Sequence, residues 1–276
     1  MKYLITGGSG FFGEHLIKRL YGTCDIRVMS RNEGNLVKLK QKFPDIEILT
    51  GDIADRFSCH QACFGVDGIF HLAAFKHVGM AETQSVECIR SNTIGSLNLL
   101  EETLSSNIKF ILGISTDKAA QVNGVYGASK MLMETMFKQF EQINPDTEYR
   151  IVRYGNVLYS TGSVLTKWID LMKQGKEVIV TDTEATRFYW TVEQAIDLIF
   201  KCMKEAKDST PFCPEMKGMK LGDLLSATHQ KYGVGELKIK TIGLQKGENM
   251  HEKIIEGGKY SNEVTLYSIT EIMDMI

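Results

Sequence analysis

The amino-acid sequence predicts an α/β fold, in which helices cover both faces of a parallel β-sheet and a smaller C-terminal region follows. Short apolar runs bounded by turn residues recur along the first 155 residues and alternate with stretches of helical period. A glycine-rich turn follows the first run and leads directly into a helical stretch. Polar side chains collect where later runs end, which is where open α/β sheets bind their ligands.

Length and composition restrict the class of protein. A chain of 276 residues with 43% hydrophobic and 24% charged residues can bury a large core, as globular proteins do. A formal net charge of −2 gives no electrostatic footprint for nucleic acid or for an anionic membrane surface. We therefore expect neither nucleic acid nor a membrane as a partner.

Neither cysteine spacing nor hydropathy indicates export. The six cysteines show no Cys-x-x-Cys pair, which predicts reduced thiols rather than disulfides or a zinc site. The N-terminus enters a strand at once, and no apolar stretch approaches the roughly 18 residues that span a bilayer. We expect a soluble cytoplasmic protein without a bound metal.

The first element is a strand at residues 2–6, which leads into a turn of the form Gly-x-x-Gly-x-x-Gly. Apolar residues then recur at helical spacing. Glycines at these positions permit a tight turn and let the backbone approach a pyrophosphate at the helix N-terminus. The alternative is a flexible turn with three chance glycines. We predict a Rossmann-like dinucleotide site with contacts from Gly7, Gly10, Phe11, Phe12 and Gly13.

The end of the second strand, residues 25–29, indicates which dinucleotide the site binds. It ends in Ser30 and Arg31, where many NAD-binding folds carry an acidic residue that holds the ribose 2′-hydroxyl. A guanidinium suits a 2′-phosphate instead, so the sequence favours NADP over NAD. Solvated surface charge is the alternative for Arg31, and also for the nearby Lys38.

Two further strands, residues 46–50 and 68–74, also end in candidate cofactor contacts. Asp52 and Ile53 follow the first of them, where the carboxylate could accept a hydrogen bond from an adenine amine or could cap a helix. The small Ala73 and Ala74 would let the backbone lie close to the cofactor. Lys76 and His77 follow them and face either ligand or solvent.

The stretch from about Glu82 to Leu104 reads as one helix with Asn92 inside its apolar pattern. A buried amide needs hydrogen-bond partners. Asn92 therefore either bridges the helix to the cofactor site or is a satisfied core amide.

The candidate catalytic centre follows the buried strand 110–114. Thr116, Asp117 and Lys118 emerge at the carboxyl end of this strand. Tyr126 and Lys130 are four residues apart and share one face of a helix, so the ammonium can lower the pKa of the phenol. Tyrosine beside threonine can take the proton of an alcohol while hydride leaves its carbon. The Asp-Lys pair adds an acid and a base that a simple alcohol dehydrogenase does not need.

The remaining elements suggest a division of the chain. A sixth strand at 149–153 precedes helices at 164–173, 192–205 and 221–232 and strands at 177–181 and 237–241. We expect residues 1–155, with about 182–205, to form the NADP-binding domain. Residues 156–181 and 206–276 would form the substrate-binding region. Arg187 either clamps a phosphate or stacks on Trp190 at the surface.

Taken together, these residues resemble the extended short-chain dehydrogenase/reductase superfamily, and within it the UDP-N-acetylglucosamine 4,6-dehydratases that invert carbon 5. The resemblance runs from residue 6 almost to the C-terminus. Its broad markers are the glycine turn and Tyr126-x-x-x-Lys130. Its narrow markers are Ala73-Ala-Phe-Lys-His-Val78, Ser115-Thr-Asp-Lys-Ala119, Arg153-Tyr-Gly-Asn-Val157, Gly162-Ser-Val164 and Thr186-Arg-Phe188.

The resemblance implies a role for each catalytic candidate. Tyr126, assisted by Thr116, would serve the oxidation of carbon 4, with hydride passing to NADP. Lys118 would remove the carbon 5 proton and Asp117 would protonate the departing carbon 6 hydroxyl, after which the hydride returns and the cofactor is recycled. We expect burial and the cations Lys130 and His77 to lower the pKa of Lys118. An Asp117–Lys118 ion pair without proton transfer is the alternative.

The resemblance also implies a UDP-sugar as substrate and a homo-oligomer as the assembled state. It places Lys76, His77, Asn156, Ser163, Val164, Arg187, Lys246 and Glu248 near the substrate. Toward the C-terminus the family usually reads Arg-Pro-Gly-Glu-Lys, whereas this chain has Gln245-Lys-Gly-Glu-Asn249. Lys246 would then replace an arginine at the diphosphate as a point charge.

Two other functions share this fold. A UDP-sugar 4-epimerase needs the tyrosine, lysine and threonine but not the Asp-Lys pair. A non-catalytic regulator that senses NADP would need none of the catalytic groups, and the presence of all of them argues against it.

Overall fold

The computed structural model describes residues 1–276 and is built on a six-stranded parallel sheet. Its strand order is β3-β2-β1-β4-β5-β6, and every neighbouring pair is parallel. The order reverses between β1 and β4, which opens a crevice at the carboxyl ends of these strands. The strands are β1 (Lys2–Thr6), β2 (Asp25–Ser30), β3 (Glu47–Thr50), β4 (Gly68–His71), β5 (Phe110–Thr116) and β6 (Glu148–Tyr154). This arrangement confirms the predicted fold class.

Helices cover both faces of this sheet and bury a separate core on each. Leu4 and Ile5, adjacent on β1, belong to different clusters of 17 and 22 buried residues, because side chains of a strand alternate between its faces. The helices of this part are α1 (Phe11–Leu20), α2 (Glu33–Lys42), α3 (Arg56–Cys63), α4 (Val78–Thr83), α5 (Ser85–Ile89), α6 (Gly95–Ser105) and α7 (Val125–Ile143).

The rest of the chain contributes a third core cluster of 16 buried residues, with Trp168 and Leu224 fully inside it. Two small sheets accompany this cluster, one of order β10-β9-β7 and one of order β11-β8. No helix of the protein is both long and apolar enough to cross a membrane. The elements after β6 are β7 (Asn156–Val157), α8 (Val164–Lys173), β8 (Val178–Val180), β9 (Thr186–Trp190), α9 (Val192–Glu205), β10 (Gly218–Lys220), α10 (Leu221–Tyr232), β11 (Ile239–Thr241) and α11 (Ile269–Met275). Of these, α9 buries its apolar side in the 22-residue core of the main sheet.

The helix predicted over 82–104 begins at Ser85 instead, because α4 ends at Thr83, and from there it runs without a break to Ser105. The chain forms α4 and α5, then a π-helical turn at Arg90–Ile94, and only then α6. The wide turn carries Asn92, whose side chain accepts from the backbone N–H of Phe75 at 2.7 Å and donates to its carbonyl at 2.9 Å. It also donates to Ser129 Oγ at 2.9 Å. The fully buried Asn92 therefore fixes the segment after β4, which leaves the sheet at His71 rather than at residue 74.

A buried histidine joins β4 to its neighbours and gives a stability prediction. His71 is 1% exposed, with Nδ1 2.8 Å from Thr6 Oγ1 and Nε2 2.9 Å from Ser96 Oγ. Burial, with a smaller effect of Lys130, lowers the pKa of His71 to about 3. In the unfolded chain His71 has a pKa of about 6.5 and binds a proton below that pH, whereas in the folded chain it stays neutral until about pH 3. The free energy of unfolding therefore falls as pH falls from 6.5 toward 3.

We expect this residue alone to remove on the order of 4 kcal/mol of unfolding free energy between pH 6.5 and pH 3. The measurement is urea unfolding across this range for the wild type and His71→Gln, which keeps a donor and an acceptor but does not titrate. The wild-type stability should fall more steeply. Parallel curves for the two proteins would contradict the assignment.

Candidate active site

A cleft of about 960 Å³ lies at the carboxyl ends of the central strands and continues toward α8. The structure brings most of the predicted site residues into it. Asn92 and Asp117 lie buried beneath its surface, and Lys246 lies outside it. The predicted residues that line the cleft are Gly7, Gly10, Phe11, Phe12, Gly13, Ser30, Arg31, Asp52, Ile53, Ala73, Ala74, Lys76, His77, Thr116, Lys118, Tyr126, Lys130, Asn156, Ser163, Val164, Arg187 and Glu248.

The glycine turn has the shape that a pyrophosphate site requires. Gly7 has φ of 69°, and a Cβ there would lie 2.8 Å from Cα of Ala73. Gly10 is the N-cap of α1, and no side chain caps the helix there. The first amides of α1 therefore stay available for an anion, where the helix dipole adds to the attraction. These residues fit a bound dinucleotide.

The end of β2 places a cation on the same side of the cleft. The Arg31 side chain is 63% exposed, and its Nη1 lies 3.9 Å from Asp52 Oδ2. Ser30 Oγ accepts a hydrogen bond from the Ser9 amide at 3.3 Å. Asp52 Oδ1 accepts from the Ala54 amide at 3.0 Å, so this carboxylate also holds its own turn. Arg31 is free to reorient toward a phosphate, because an exposed pair at 3.9 Å contributes little.

Thr116, Asp117 and Lys118 form one hydrogen-bonded unit at the end of β5. Thr116 Oγ1 donates to Asp117 Oδ1 at 2.8 Å, and Lys118 Nζ donates to the same oxygen at 3.0 Å. Asp117 is fully buried, and its second oxygen, Oδ2, has no hydrogen-bond partner. An unpaired buried carboxylate oxygen is costly unless it carries a proton or meets a ligand.

The protonation of this pair corrects the prediction for Lys118. Burial lowers the pKa of Lys118, but the Asp117 and Glu252 carboxylates outweigh burial and Arg187, so the pKa is raised. Burial also raises the pKa of Asp117; the Lys118 ammonium lowers it and the Glu252 carboxylate raises it again, leaving it above its ordinary value. Lys118 therefore keeps its proton at neutral pH, and its ammonium donates to the Asp117 carboxylate.

The helix pair Tyr126 and Lys130 lines the cleft as predicted, but the expected charge effect is wrong. Burial raises the pKa of Tyr126 to about 12, and the groups that lower it are Lys118 and the Thr116 hydroxyl. The Lys130 ammonium instead donates to the Ile114 carbonyl at 2.7 Å. Burial lowers the pKa of Lys130 to about 8.

Sequence reasoning missed Glu252, which lies in the C-terminal segment. Its side chain is 1% exposed, with Oε1 3.6 Å from Lys118 Nζ and 3.9 Å from Arg187 Nε. The Arg187 guanidinium is buried and donates to the Met250 carbonyl at 3.1 Å. Arg187 is therefore not a surface residue stacked on Trp190. No local sequence signal marks Glu252, because its contacts arise only when this segment folds back over β5 and β9.

A buried ion pair between Arg153 and Glu134 fixes the C-terminal segment that carries Glu252. The Arg153 guanidinium donates to both oxygens of Glu134, at 3.0 and 2.5 Å, and to the Ile254 carbonyl at 3.0 Å. Ser115 donates a short hydrogen bond to Glu134. Arg153 thus ties β6 and α7 to the loop that follows Glu252.

The far side of the cleft gathers cations without acidic partners. Lys76 Nζ donates to the Thr161 carbonyl at 3.0 Å, and the His77 ring lies against Gly162, where a Cβ would come within 2.8 Å of it. Lys167 on α8 also lines the cleft. Burial, then Lys76 and Lys167, lower the pKa of His77. Asn156, Ser163 and Val164 lie beside them, with Ser163 as the N-cap of α8.

Lys246 does not occupy the place predicted for it. Its side chain is 82% exposed and its Nζ lies 3.2 Å from Glu82 Oε2. Glu82 in turn accepts from the Val125 amide at 2.7 Å, at the start of α7. The neighbouring Glu248 does line the cleft, and its carboxylate accepts from the Gln245 amide at 3.1 Å. Lys246 therefore pairs with α4 at the surface, and Glu82 rather than Lys246 contacts the start of α7.

The sheet order, the uncapped glycine turn and the Thr-Tyr-Lys set at the cleft define a member of the extended short-chain dehydrogenase/reductase superfamily. A family model described as "Polysaccharide biosynthesis protein" matches residues 3–274. The chain belongs to this family.

Curated relatives carry three different descriptions. The chain is 34% identical over 260 residues to the UDP-N-acetylglucosamine 4,6-dehydratase (inverting) of Campylobacter jejuni, covering 91% of this chain and 76% of that protein. It is 30% identical over 263 residues to the UDP-glucose 4-epimerase of Rickettsia canadensis, with the same coverages. It is 33% identical over 284 residues to an uncharacterized membrane protein of Methanocaldococcus jannaschii, covering 99% and 84%.

Solved structures agree on the fold. Pen from Bacillus thuringiensis superposes with a TM-score of 0.89 at 31% identity, over 92% of this chain and 81% of that one. The dTDP-glucose 4,6-dehydratase DesIV of Streptomyces venezuelae, solved with NAD bound, gives a TM-score of 0.83 at 18% identity, over 100% and 95%. A nicotinamide cofactor is thus supported for this class of site.

Proposed function

We propose that this chain is a UDP-N-acetylglucosamine 4,6-dehydratase that inverts carbon 5 and produces a UDP-4-keto-6-deoxy sugar. One observation supports this over the 4-epimerase reaction. The buried Asp117–Lys118 pair stands beside Thr116 and Tyr126 and has an unpaired carboxylate oxygen. Epimerisation at carbon 4 has no use for a second acid and base, whereas elimination of water between carbons 5 and 6 needs both.

The residues divide the reaction between them. Tyr126, beside Thr116, takes the proton of the carbon 4 hydroxyl. A nicotinamide cofactor held at the glycine turn and by Lys130 would supply the hydride acceptor for carbon 4 and the hydride donor for carbon 6. Lys118 takes the carbon 5 proton, the electron pair forms the carbon 5–carbon 6 double bond, and the carbon 6–oxygen bond breaks. Asp117 gives a proton to the leaving hydroxide, which departs as water. Carbon 5 then takes a proton from solvent on its opposite face, Lys118 returns its proton to solvent, and the proton that Tyr126 took restores the acid form of Asp117.

The resting pair reaches its reactive form by one internal proton shift. Lys118 Nζ already donates to Asp117 Oδ1 at 3.0 Å, and moving that proton gives a neutral amine and a carboxylic acid without changing the net charge. The raised pKa of Asp117 favours this acid form. After elimination Lys118 is an ammonium and Asp117 a carboxylate, so the observed ion pair is also the product state of that step.

We propose NADP as the cofactor, since Ser30 and Arg31 stand where an acidic residue would hold the ribose of NAD. Gly7, Gly10, Gly13 and Ala73 would hold the pyrophosphate, and Lys130 the nicotinamide half. We further propose residues 1–155 with about 182–205 as the cofactor domain and 156–181 with 206–276 as the sugar-binding region. The free thiols support a cytoplasmic location. The family resemblance supports a homo-oligomer.

The sugar diphosphate would bind between β4 and α8. Lys76, His77 and Lys167 line this part of the cleft, and neither lysine has a carboxylate within 4.0 Å. Unpaired cations at a cleft wall attract phosphate. In this proposal Lys167 supplies the charge that Lys246 does not bring into the cleft.

The test is proton NMR of the purified protein with UDP-GlcNAc in deuterated water without added reductant. A carbon 6 methyl signal, deuterium at carbon 5 and the couplings of the inverted ketone would support the proposal. A methyl signal with the original configuration would keep the dehydratase and remove the role of Lys118. Conversion to UDP-GalNAc without a methyl signal would establish the epimerase, which the Rickettsia relative makes the second candidate.

A further inference from the structure

We propose that Glu252 is a positioning residue for the elimination step, which holds Lys118 against Asp117 and stabilises the Lys118 ammonium that forms when carbon 5 loses its proton. This inference rests on the proposed function and adds a residue that the sequence alone did not indicate. Glu252 lies 3.6 Å from Lys118 Nζ and is almost completely buried.

Hydrogen bonds fix the Glu252 carboxylate beside Lys118 and Arg187. Its backbone N–H donates to Ser261 Oγ at 3.0 Å and its carbonyl accepts from the Ser261 amide at 2.8 Å. Its Oε2 accepts from Asn249 Nδ2 at 3.2 Å, which leaves Oε1 directed at Lys118 and Arg187. A fully buried carboxylate with few rotamers open to it exerts an unscreened field on its neighbours.

The charges around Lys118 balance only when Glu252 is ionised. Two carboxylates, Asp117 and Glu252, face one ammonium and the Arg187 guanidinium. The phenols of Tyr126 and Tyr189 and the Glu248 carboxylate are further titratable groups near this point. Burial raises the pKa of Glu252, but Lys118 and Arg187 lower it below its ordinary value, so it remains an anion.

An anion at this position serves both partners of the elimination. It raises the proton affinity of Lys118, which makes the neutral amine a stronger base toward carbon 5. It also raises the proton affinity of Asp117, which keeps the acid protonated until the hydroxide leaves. Arg187 pairs with Glu252 from the other side and prevents it from taking the proton itself.

The test compares the pH dependence of elimination in the wild type, Glu252→Gln and Glu256→Gln. Glu256 is a matched control, because it lies in the same segment but pairs with Arg153 and is 62% exposed. We expect Glu252→Gln to slow methyl formation about 10²-fold and to move both limbs of the profile about one unit to lower pH. Protons leave more readily once the negative charge is gone. Glu256→Gln should show neither change.

A conservative variant separates charge from structure. Glu252→Asp keeps the carboxylate and should keep both limbs at their wild-type pH even if the rate falls. A profile for Glu252→Gln that coincides with that of the wild type would overturn the inference, and so would a shift in Glu252→Asp as large as in Glu252→Gln.

A second measurement does not depend on the reaction. Reductive methylation of Lys118 at mildly alkaline pH, mapped by peptide mass spectrometry, reports the fraction of neutral amine. This labelling should rise several-fold in Glu252→Gln and stay unchanged in Glu256→Gln. If the wild type dehydrates no UDP-sugar, the proposed function fails while the labelling still decides whether Glu252 controls Lys118. Equal labelling in all three proteins would overturn that control.

Discussion

Replacing Asp117 with asparagine is expected to lower the rate of methyl formation from UDP-GlcNAc about 10³-fold. The amide can still accept from Thr116 and Lys118 through one oxygen, as the carboxylate does at 2.8 and 3.0 Å. It cannot give a proton to the departing carbon 6 hydroxyl. Oxidation at carbon 4 should survive, since Tyr126 and Thr116 remain in place. The measurement is proton NMR for the methyl group together with the near-ultraviolet absorbance of reduced nicotinamide, which should accumulate.

The same variant separates the two candidate reactions. A 4-epimerase would keep most of its activity after Asp117→Asn, because it uses no acid at carbon 6. Full turnover in the variant would therefore remove the dehydratase proposal. Asp170→Asn, an exposed carboxylate on α8, controls for the loss of one negative charge and should behave as the wild type.

The sheet and its helices could be predicted from sequence because the burial pattern of these elements is local. Helices over 164–173, 192–205 and 221–232 have the predicted bounds, since a single amphipathic stripe defines each of them. The helix around Asn92 could not be predicted in the same way. Its π turn is set by hydrogen bonds to Phe75 and Ser129, which are distant in sequence.

The candidate site could likewise be predicted only where its contacts are local in sequence. Thr116, Asp117, Lys118 and Tyr126 were recognisable because a strand end and one helix face bring them together. The direction of the Lys118 pKa was not, because Asp117 and Glu252 together outweigh burial, and Glu252 reaches the site only through tertiary structure. Lys246 shows the opposite error. A residue at a family position was expected at the diphosphate, but it lies outside the cleft with its Nζ 3.2 Å from the Glu82 carboxylate.

The resting ion pair explains why a raised pKa does not disqualify Lys118 as a base. A strong base must hold its proton tightly once it has taken it, and Asp117 accepts the resting proton through an existing 3.0 Å hydrogen bond. The cost of forming the neutral amine is therefore that of an internal transfer, not of releasing a proton to water. Replacing Lys118 tests whether its neutral amine is the base that removes the carbon 5 proton.

Lys118→Arg is expected to abolish deuterium incorporation at carbon 5 and to lower methyl formation about 10³-fold or more. Arginine keeps the positive charge between Asp117 and Glu252, so the buried carboxylates stay paired and the fold should be retained. A guanidinium does not give up its proton in proteins and cannot act as the base. Lys118→Met would remove charge and base together and would leave the buried Asp117 carboxylate without a cation, while Glu252 would keep only Arg187.

Comparing these two variants isolates the proton transfer from the ion pair. If the pair were only structural, Lys118→Arg would keep activity near that of the wild type while Lys118→Met lost stability and activity together. If Lys118 is the base, both variants lose exchange at carbon 5, and only Lys118→Met also unfolds at lower denaturant concentration. Carbon 4 oxidation, read from nicotinamide absorbance, should persist in Lys118→Arg. Retained carbon 5 exchange in Lys118→Arg would show that another group is the base. Lys118 would then have no role in the inversion.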